Sequence, residues 1–220
     1  MSPDRGTVDL SSERGEITLA GGRAFVRWAA AWTAAGRGPV SGDRHLAAVL
    51  GERAVLGVVD GLGHGSEAAL AAEAAVAAVV SAGAHGGARE LIAACHRALT
   101  RTRGAVATVA EIDPSGSLSW AGVGNVESMV VPAGGASAID LAAGPGILGM
   151  RAPRMGGGHV RLAGGDVLLM ATDGVDVRFR WEMGMRGDVE SIAKRAVTGW
   201  TSGLDDGLLL AARYVDRGEP

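Results

Sequence analysis

The apolar positions fall into short runs broken by turn residues, and that punctuation sets the expected elements. Arg44 to Leu50 and Ala54 to Val59 are two such runs separated by Gly51-Glu52-Arg53. They predict a β-hairpin with Asp43 before its first strand and Asp60 after its second. Val106 to Ile112 and Ser117 to Val123 flank Asp113-Pro114-Ser115-Gly116, in which each residue type suits a four-residue turn, and predict a second hairpin. Ser128 to Val131 and Ala138 to Leu141, around Gly134-Gly135, predict a third. Val167 to Ala171 and Leu208 to Val215 are unbroken apolar runs, as expected of buried strands.

Ser66 to Val80 is Ala-rich with no interior Gly or Pro, which predicts a helix that stops at Gly83. Glu90 to Thr102 and Val189 to Val197 are expected helices as well. Ala24 to Ala35 fits two patterns: Trp28 and Trp32 share a helix face, whereas Phe25, Val26 and Trp28 suit a strand. Many hairpins, with few helices that do not alternate strictly with strands, argue for an α+β fold with largely antiparallel sheets. No repeat, charge block or Pro/Ser-rich linker divides the 220 residues, so 1–220 reads as a single domain.

Composition narrows the function classes. A chain that is 47% hydrophobic has ample material for a core, while a net charge of -3 and 4% aromatic residues leave little to neutralise or stack on nucleic acid. Cys95 is the only cysteine, which excludes an internal disulfide and any cysteine-based zinc or iron–sulfur site and fits a reducing, cytoplasmic setting. Charged residues from Asp4 to Arg14 interrupt the apolar core a secretory signal needs. The longest apolar run, Ala68 to Ala82, contains Glu73 and is mostly alanine, so no membrane partner is expected.

With 36 glycines, Gly-x-Gly arises by chance. The stretch Gly61-x-Gly63-x-x-Ser66 lacks the third glycine and the ribose-binding acid of a dinucleotide fingerprint. Cys95 and His96 are helix neighbours and point to different faces, so they form no dyad, and Cys95 reads as a small buried residue. His45, His64, His85, His96 and His159 show no paired ligand spacing, and the tryptophans read as packing residues.

The candidate chemistry lies in four aspartate motifs: Ser41-Gly42-Asp43, Val59-Asp60-Gly61, Thr172-Asp173-Gly174 and Leu204-Asp205-Asp206-Gly207. Any one of them alone is an ordinary turn or cap. All four stand at the margins of the most apolar strands. A hairpin turn centred between Gly51 and Glu52 sets Asp43 opposite Asp60 at about 5 Å, where two carboxylates repel and need a shared proton, an arginine or a divalent cation. If Asp173 and Asp205 or Asp206 converge there too, a cation is the natural answer, and oxygen donors select hard ions such as Mg2+ or Mn2+.

The ordered motifs resemble those of the metal-dependent PPM-type serine/threonine phosphatases, particularly the bacterial SpoIIE-like branch. They are Ser41-Gly42-Asp43, Asp60-Gly61-Leu62-Gly63-His64-Gly65, Gly122-Val123-Gly124-Asn125, Gly146-Ile147-Leu148-Gly149, Gly165 to Val175, and Asp205-Asp206-Gly207-Leu208-Leu209-Leu210. The whole looks most like the compact RsbX-type stress-response phosphatases. The resemblance implies a four-layer αββα sandwich of two mainly antiparallel sheets with flanking helices, in which Ala24 to Ala35 is a strand.

The same resemblance implies two ions, Mn2+ or Mg2+, with Asp60 bridging them. The Gly61 carbonyl would serve one ion, Asp173 and Asp205 the other, with Asp206 as second choice, and Asp43 would hold water at the ions. Such ions acidify water and neutralise phosphoryl oxygens in an in-line displacement, so no protein nucleophile is needed. The implied substrate is phosphoserine or phosphothreonine on a regulatory partner protein, of STAS-domain type, in a sigma-factor partner-switching pathway. The rival expectations are a catalytically inactive partner-binding relative and a hydrolase of small phosphomonoesters. Leu62 stands where some relatives carry a histidine and Leu208 where a hydroxyl residue is usual. Neither Arg37 nor Arg44 matches a phosphate-binding position.

Overall fold

A computed structural model describes residues 10–18, 22–34, 40–83, 86–150, 154–185 and 187–216. Arg37, Ala35 and His85 therefore lie outside the described residues. Among those described, β1 (Ser11–Thr18), β2 (Ala24–Thr33), β7 (Glu127–Val131), β8 (Ile139–Asp140), β10 (Val167–Ala171) and β11 (Gly207–Tyr214) form one sheet in the order β1-β2-β11-β10-β7-β8. The second sheet runs β3-β4-β5-β6-β9, from β3 (Asp43–Leu50), β4 (Arg53–Gly61), β5 (Ala105–Ile112), β6 (Ser117–Val123) and β9 (Gly156–Arg161). All ladders are antiparallel.

Each central strand splits its side chains between two cores with the period of two that a pleated strand imposes. On β4, Ala54, Leu56 and Val58 face the space between the sheets, while Val55 and Val59 face the helix pair α1 (Ser66–Ala82) and α2 (Ala88–Ala98). On β11, Leu208, Leu210 and Ala212 enter the intersheet core. Leu209 and Ala211 pack on α4 (Val189–Trp200), beside the short α3 (Phe179–Glu182). Burial on both faces explains why β5, β10 and β11 read as unbroken apolar runs. The layers are helices, sheet, sheet, helices, the αββα sandwich the motifs imply.

The first hairpin has the expected register, with Asp43 opposite Asp60. Gly51 supplies the positive φ at its turn. The second turns on Asp113, whose Oδ1 accepts the Ser115 and Ser117 N–H groups. Ala24–Thr33 is the strand β2, which puts Trp28 and Trp32 on one face against the His45 ring.

Several elements differ from expectation. Helix α2 starts at Ala88, because the Glu90 carboxylate accepts the Gly87 N–H. It ends at Ala98, and the Thr102 hydroxyl and N–H both fold back onto the Leu99 carbonyl. Strands β1 and β9 and helix α3 were not expected. No helix among the described residues is long and apolar enough to cross a membrane.

Candidate active site

The hairpin end of β3 and β4 meets the ends of β10 and β11 at one rim of the sandwich. This juxtaposition is built by close backbone packing. A Cβ on Gly61 would lie 2.1 Å from the Ala68 carbonyl oxygen, and one on Gly174 would lie 1.8 Å from that of Asp206. Glycine at these two places lets α1 close on β4 and lets the turn after β10 close on the start of β11.

A cavity of about 610 Å3 opens at this rim, and Asp43, Asp60, Asp173, Asp205 and Asp206 all line it. Leu62, Val106 and Ile147 give it apolar walls, and His64 and Asn125 add polar ones. Gly61, the last residue of β4, is buried next to Asp60. Four separate chain segments thus bring five carboxylates to one hollow.

The five carboxylates differ in what holds them. Asp43 is buried, and its Oδ2 accepts the Thr172 hydroxyl at 2.8 Å; Thr172 Oγ1 in turn accepts the Leu208 N–H at 2.9 Å. One threonine thereby joins the two sheets beneath the cavity. Asp206 is also buried, with Oδ2 accepting the Gly42 N–H at 2.6 Å. Asp205 is exposed, and its Oδ1 accepts the Asp206 N–H. Asp173 is exposed and is steered by Asn125, whose amide donates to Asp173 Oδ2 at 2.9 Å.

Electrostatics reflects the crowding. Burial, and next the charge of Asp60, hold the Asp43 carboxyl well above the ordinary carboxylate range, against the lowering influence of Thr172. Burial, followed by the charges of Asp173, Asp205 and Asp206, pushes Asp60 up to about 7. Arg44, the arginine next in sequence to Asp43, is spent elsewhere: it donates to the Ser41 and Asp43 carbonyls and pairs with Glu73. The donor set is all oxygen, negatively charged and repelling itself, which suits hard divalent cations. Among the described residues, no three His, Cys, Asp or Glu side chains already close on one point as a finished metal site. The fit is one of donor chemistry around a shared hollow.

A family profile described as stage II sporulation protein E (SpoIIE) matches residues 51–208. The chain belongs to the SpoIIE family. A structure from work on the bacterial stressosome, a modular system adapted to control secondary messenger signaling, is 30% identical to this SpoIIE-family chain. It superposes with a TM-score of 0.77 over 86% of this chain and 99% of that one. RsbX in complex with magnesium gives a TM-score of 0.80 at 20% identity, covering 93% of this chain and 100% of that one.

The PP2C phosphatase domain of SpoIIE from Bacillus subtilis, solved with a fragment of its regulatory domain, gives 0.72 at 18% identity, covering 94% of this chain and 72% of that one. These last two likenesses are of fold. No curated protein matches the chain. The fold is that of the PP2C phosphatases.

Sequence reasoning brought the five aspartates forward but overlooked two residues that hold them. Thr172 stands directly before Asp173 with a strand-end hydroxyl, which was the available signal. Asn125 closes a Gly-x-Gly-Asn turn and carries the only side-chain polar group of that motif. Cys95 is the small buried residue expected: it is fully buried, donates to the Ala75 carbonyl, and has its thiol pushed up to about 12 by burial.

Proposed function

We propose that this protein is a phosphatase that uses divalent cations, Mg2+ or Mn2+ and two in number, to hydrolyse phosphoserine or phosphothreonine on a regulatory protein of a cytoplasmic partner-switching pathway. The observation that carries the reading is the hollow lined by five carboxylates, in which Asp60 is driven to about 7 by burial and like charge. Such an arrangement is costly to keep without bound positive charge. When bound, the ions acidify water and neutralise the phosphoryl oxygens during in-line displacement.

The chain's residues divide the remaining work. Asp60, Asp173 and Asp205 present the free carboxylate oxygens that would hold the ions, with the Gly61 carbonyl next to Asp60 as the expected backbone donor. Asn125 fixes the orientation of Asp173. Asp43, anchored by Thr172, faces the hollow as the acceptor for water. Asp206 spends one oxygen on the Gly42 N–H and so ties the segment before β3 to the segment before β11. Asp205 is exposed where Asp206 is buried, and that accessibility favours Asp205 over Asp206 as a ligand.

The STAS-domain type of partner follows from the resemblance to RsbX-type phosphatases and from the stressosome setting of the 30% identical structure. Phosphate release from a phosphoserine peptide in Mn2+ tests the reading. Release that stops on chelation and in Asp60→Ala supports it, and release that survives either treatment overturns it.

A further inference from the structure

We propose that Arg44 is a positioning residue of the candidate metal centre: it clamps the buried turn 41–43 and, through that turn, sets how tightly the surrounding oxygens hold a divalent cation. The inference rests on the divalent-cation reading and adds to it a residue that touches no ion. Strand β3 starts at Asp43, and its alternation sends the Asp43 and Arg44 side chains to opposite faces. Asp43 meets Thr172 of the other sheet, whereas Arg44 lies on the face of Leu46, toward α1.

On that face Arg44 Nη1 donates to the Ser41 carbonyl at 2.7 Å and to the Asp43 carbonyl at 2.8 Å, while Nη2 donates to Glu73 of α1 at 2.7 Å. One planar group thereby bridges both ends of a three-residue turn and fastens it to a helix. A guanidinium holds such a fork rigidly, and an ammonium does not match it.

The clamped turn touches three of the segments that carry the candidate donors. Its middle residue, Gly42, donates its N–H to Asp206 Oδ2 at 2.6 Å and accepts the Gly61 N–H at 3.2 Å. A Cβ on Gly42 would lie 3.4 Å from the Gly61 carbonyl oxygen, the expected backbone donor, and 2.9 Å from the Ala68 Cβ. Asp43 ends the turn, its N–H donating to the Ser41 hydroxyl at 3.1 Å. A shift of the turn therefore moves Asp43, Gly61 and Asp206 together. Cation affinity depends on the groups that orient the donors as well as on the donors themselves.

Position and charge predict opposite outcomes. The Arg44 charge repels a cation entering the nearby hollow, so if charge alone mattered, its removal would tighten binding. If the clamp matters, its removal weakens binding. Calorimetric titration of metal-free protein with Mn2+ reads the sign, under conditions in which urea unfolding in EDTA shows each variant folded. Arg44→Ala is expected to weaken Mn2+ binding about tenfold. Arg44→Lys keeps the charge without the fork and is expected to fall between that variant and wild type. Unchanged or tighter binding in Arg44→Ala overturns the proposal, and so does wild-type affinity in Arg44→Lys, which decides alone if Arg44→Ala does not fold.

Amide hydrogen exchange in the metal-free protein judges the clamp by itself. Exchange at Gly42 and Gly61, measured against the β10 amides, is expected to quicken about tenfold in Arg44→Ala and by less in Arg44→Lys. Unchanged relative exchange overturns the proposal. A wild type that binds no Mn2+ ends the divalent-cation reading, while exchange still decides whether Arg44 holds the turn.

Discussion

Replacing Asp60 by asparagine in chelated protein separates the electrostatic strain of the site from its chemistry. In the fold the Asp60 carboxyl stands at about 7, against 3.8 for an unperturbed group, mainly through burial and then through Asp173, Asp205 and Asp206. Between those values the folded chain holds a proton that the unfolded chain has released. Stability therefore falls as pH rises through that window, and the full loss is present above about pH 8. The displacement corresponds to about 4 kcal/mol. The carboxamide of Asp60→Asn keeps the shape and cannot ionise, so in EDTA the variant is expected to match wild type near pH 4. At pH 8 it is expected to exceed wild type by up to about 4 kcal/mol, or about 10 °C in Tm.

The comparison with wild type at each pH cancels the carboxylates remote from Asp60. Asp113 and Asp188, for example, are lowered by hydrogen bonds and bias the profile the opposite way. Urea unfolding from pH 4 to pH 8 is the assay. Saturating Mn2+ is expected to stabilise wild type and leave Asp60→Asn unmoved, because only a binding-competent fold gains from mass action. A variant no more stable than wild type in EDTA at pH 8, or a stability gap that does not open with pH, refutes the reasoning.

Three further outcomes follow from the same geometry. Asp206→Ala leaves the buried Gly42 N–H without its acceptor and is expected to cost about 1–3 kcal/mol in urea unfolding, whereas Asp205→Asn is expected to stay within about 0.5 kcal/mol of wild type yet lose phosphate release. Thr172→Val strips the donor from Asp43 and the acceptor from Leu208 N–H; it is expected to cost about 1–3 kcal/mol by the same assay, with Thr172→Ser close to wild type. Gly174→Ala drives a Cβ against the Asp206 carbonyl and is expected to lower stability by at least about 2 kcal/mol and to reduce phosphate release.

What the sequence revealed was set by how strongly each segment is buried. Central strands such as β4, β10 and β11 face two cores, so their apolar runs are long, and the Asp43–Asp60 pairing followed from counting back from one turn. Edge strands carry no such signal. β1, Ser-Ser-Glu-Arg-Gly-Glu-Ile-Thr, is exposed at most positions and gains its place by pairing with β2. β9 begins with three glycines and pairs with β6 alone. Helix α2 was overrun because Leu99 and Thr102 fit the periodicity, while the turn that ends the helix is made by the Thr102 side chain.

At the site, residue types and strand ends pointed to the aspartates. The division of labour between Asp205 and Asp206 was hidden, because it depends on which carboxylate reaches the Gly42 N–H from 164 residues away.

Divalent cations held at this rim are the centre of the account. A manganese-soaked crystal with anomalous scattering examines them directly. The expected result is manganese density between the carboxylates of Asp60, Asp173 and Asp205, with Asp206 still on the Gly42 N–H. An absence of density in the hollow at millimolar Mn2+, or manganese seated away from Asp60, contradicts it.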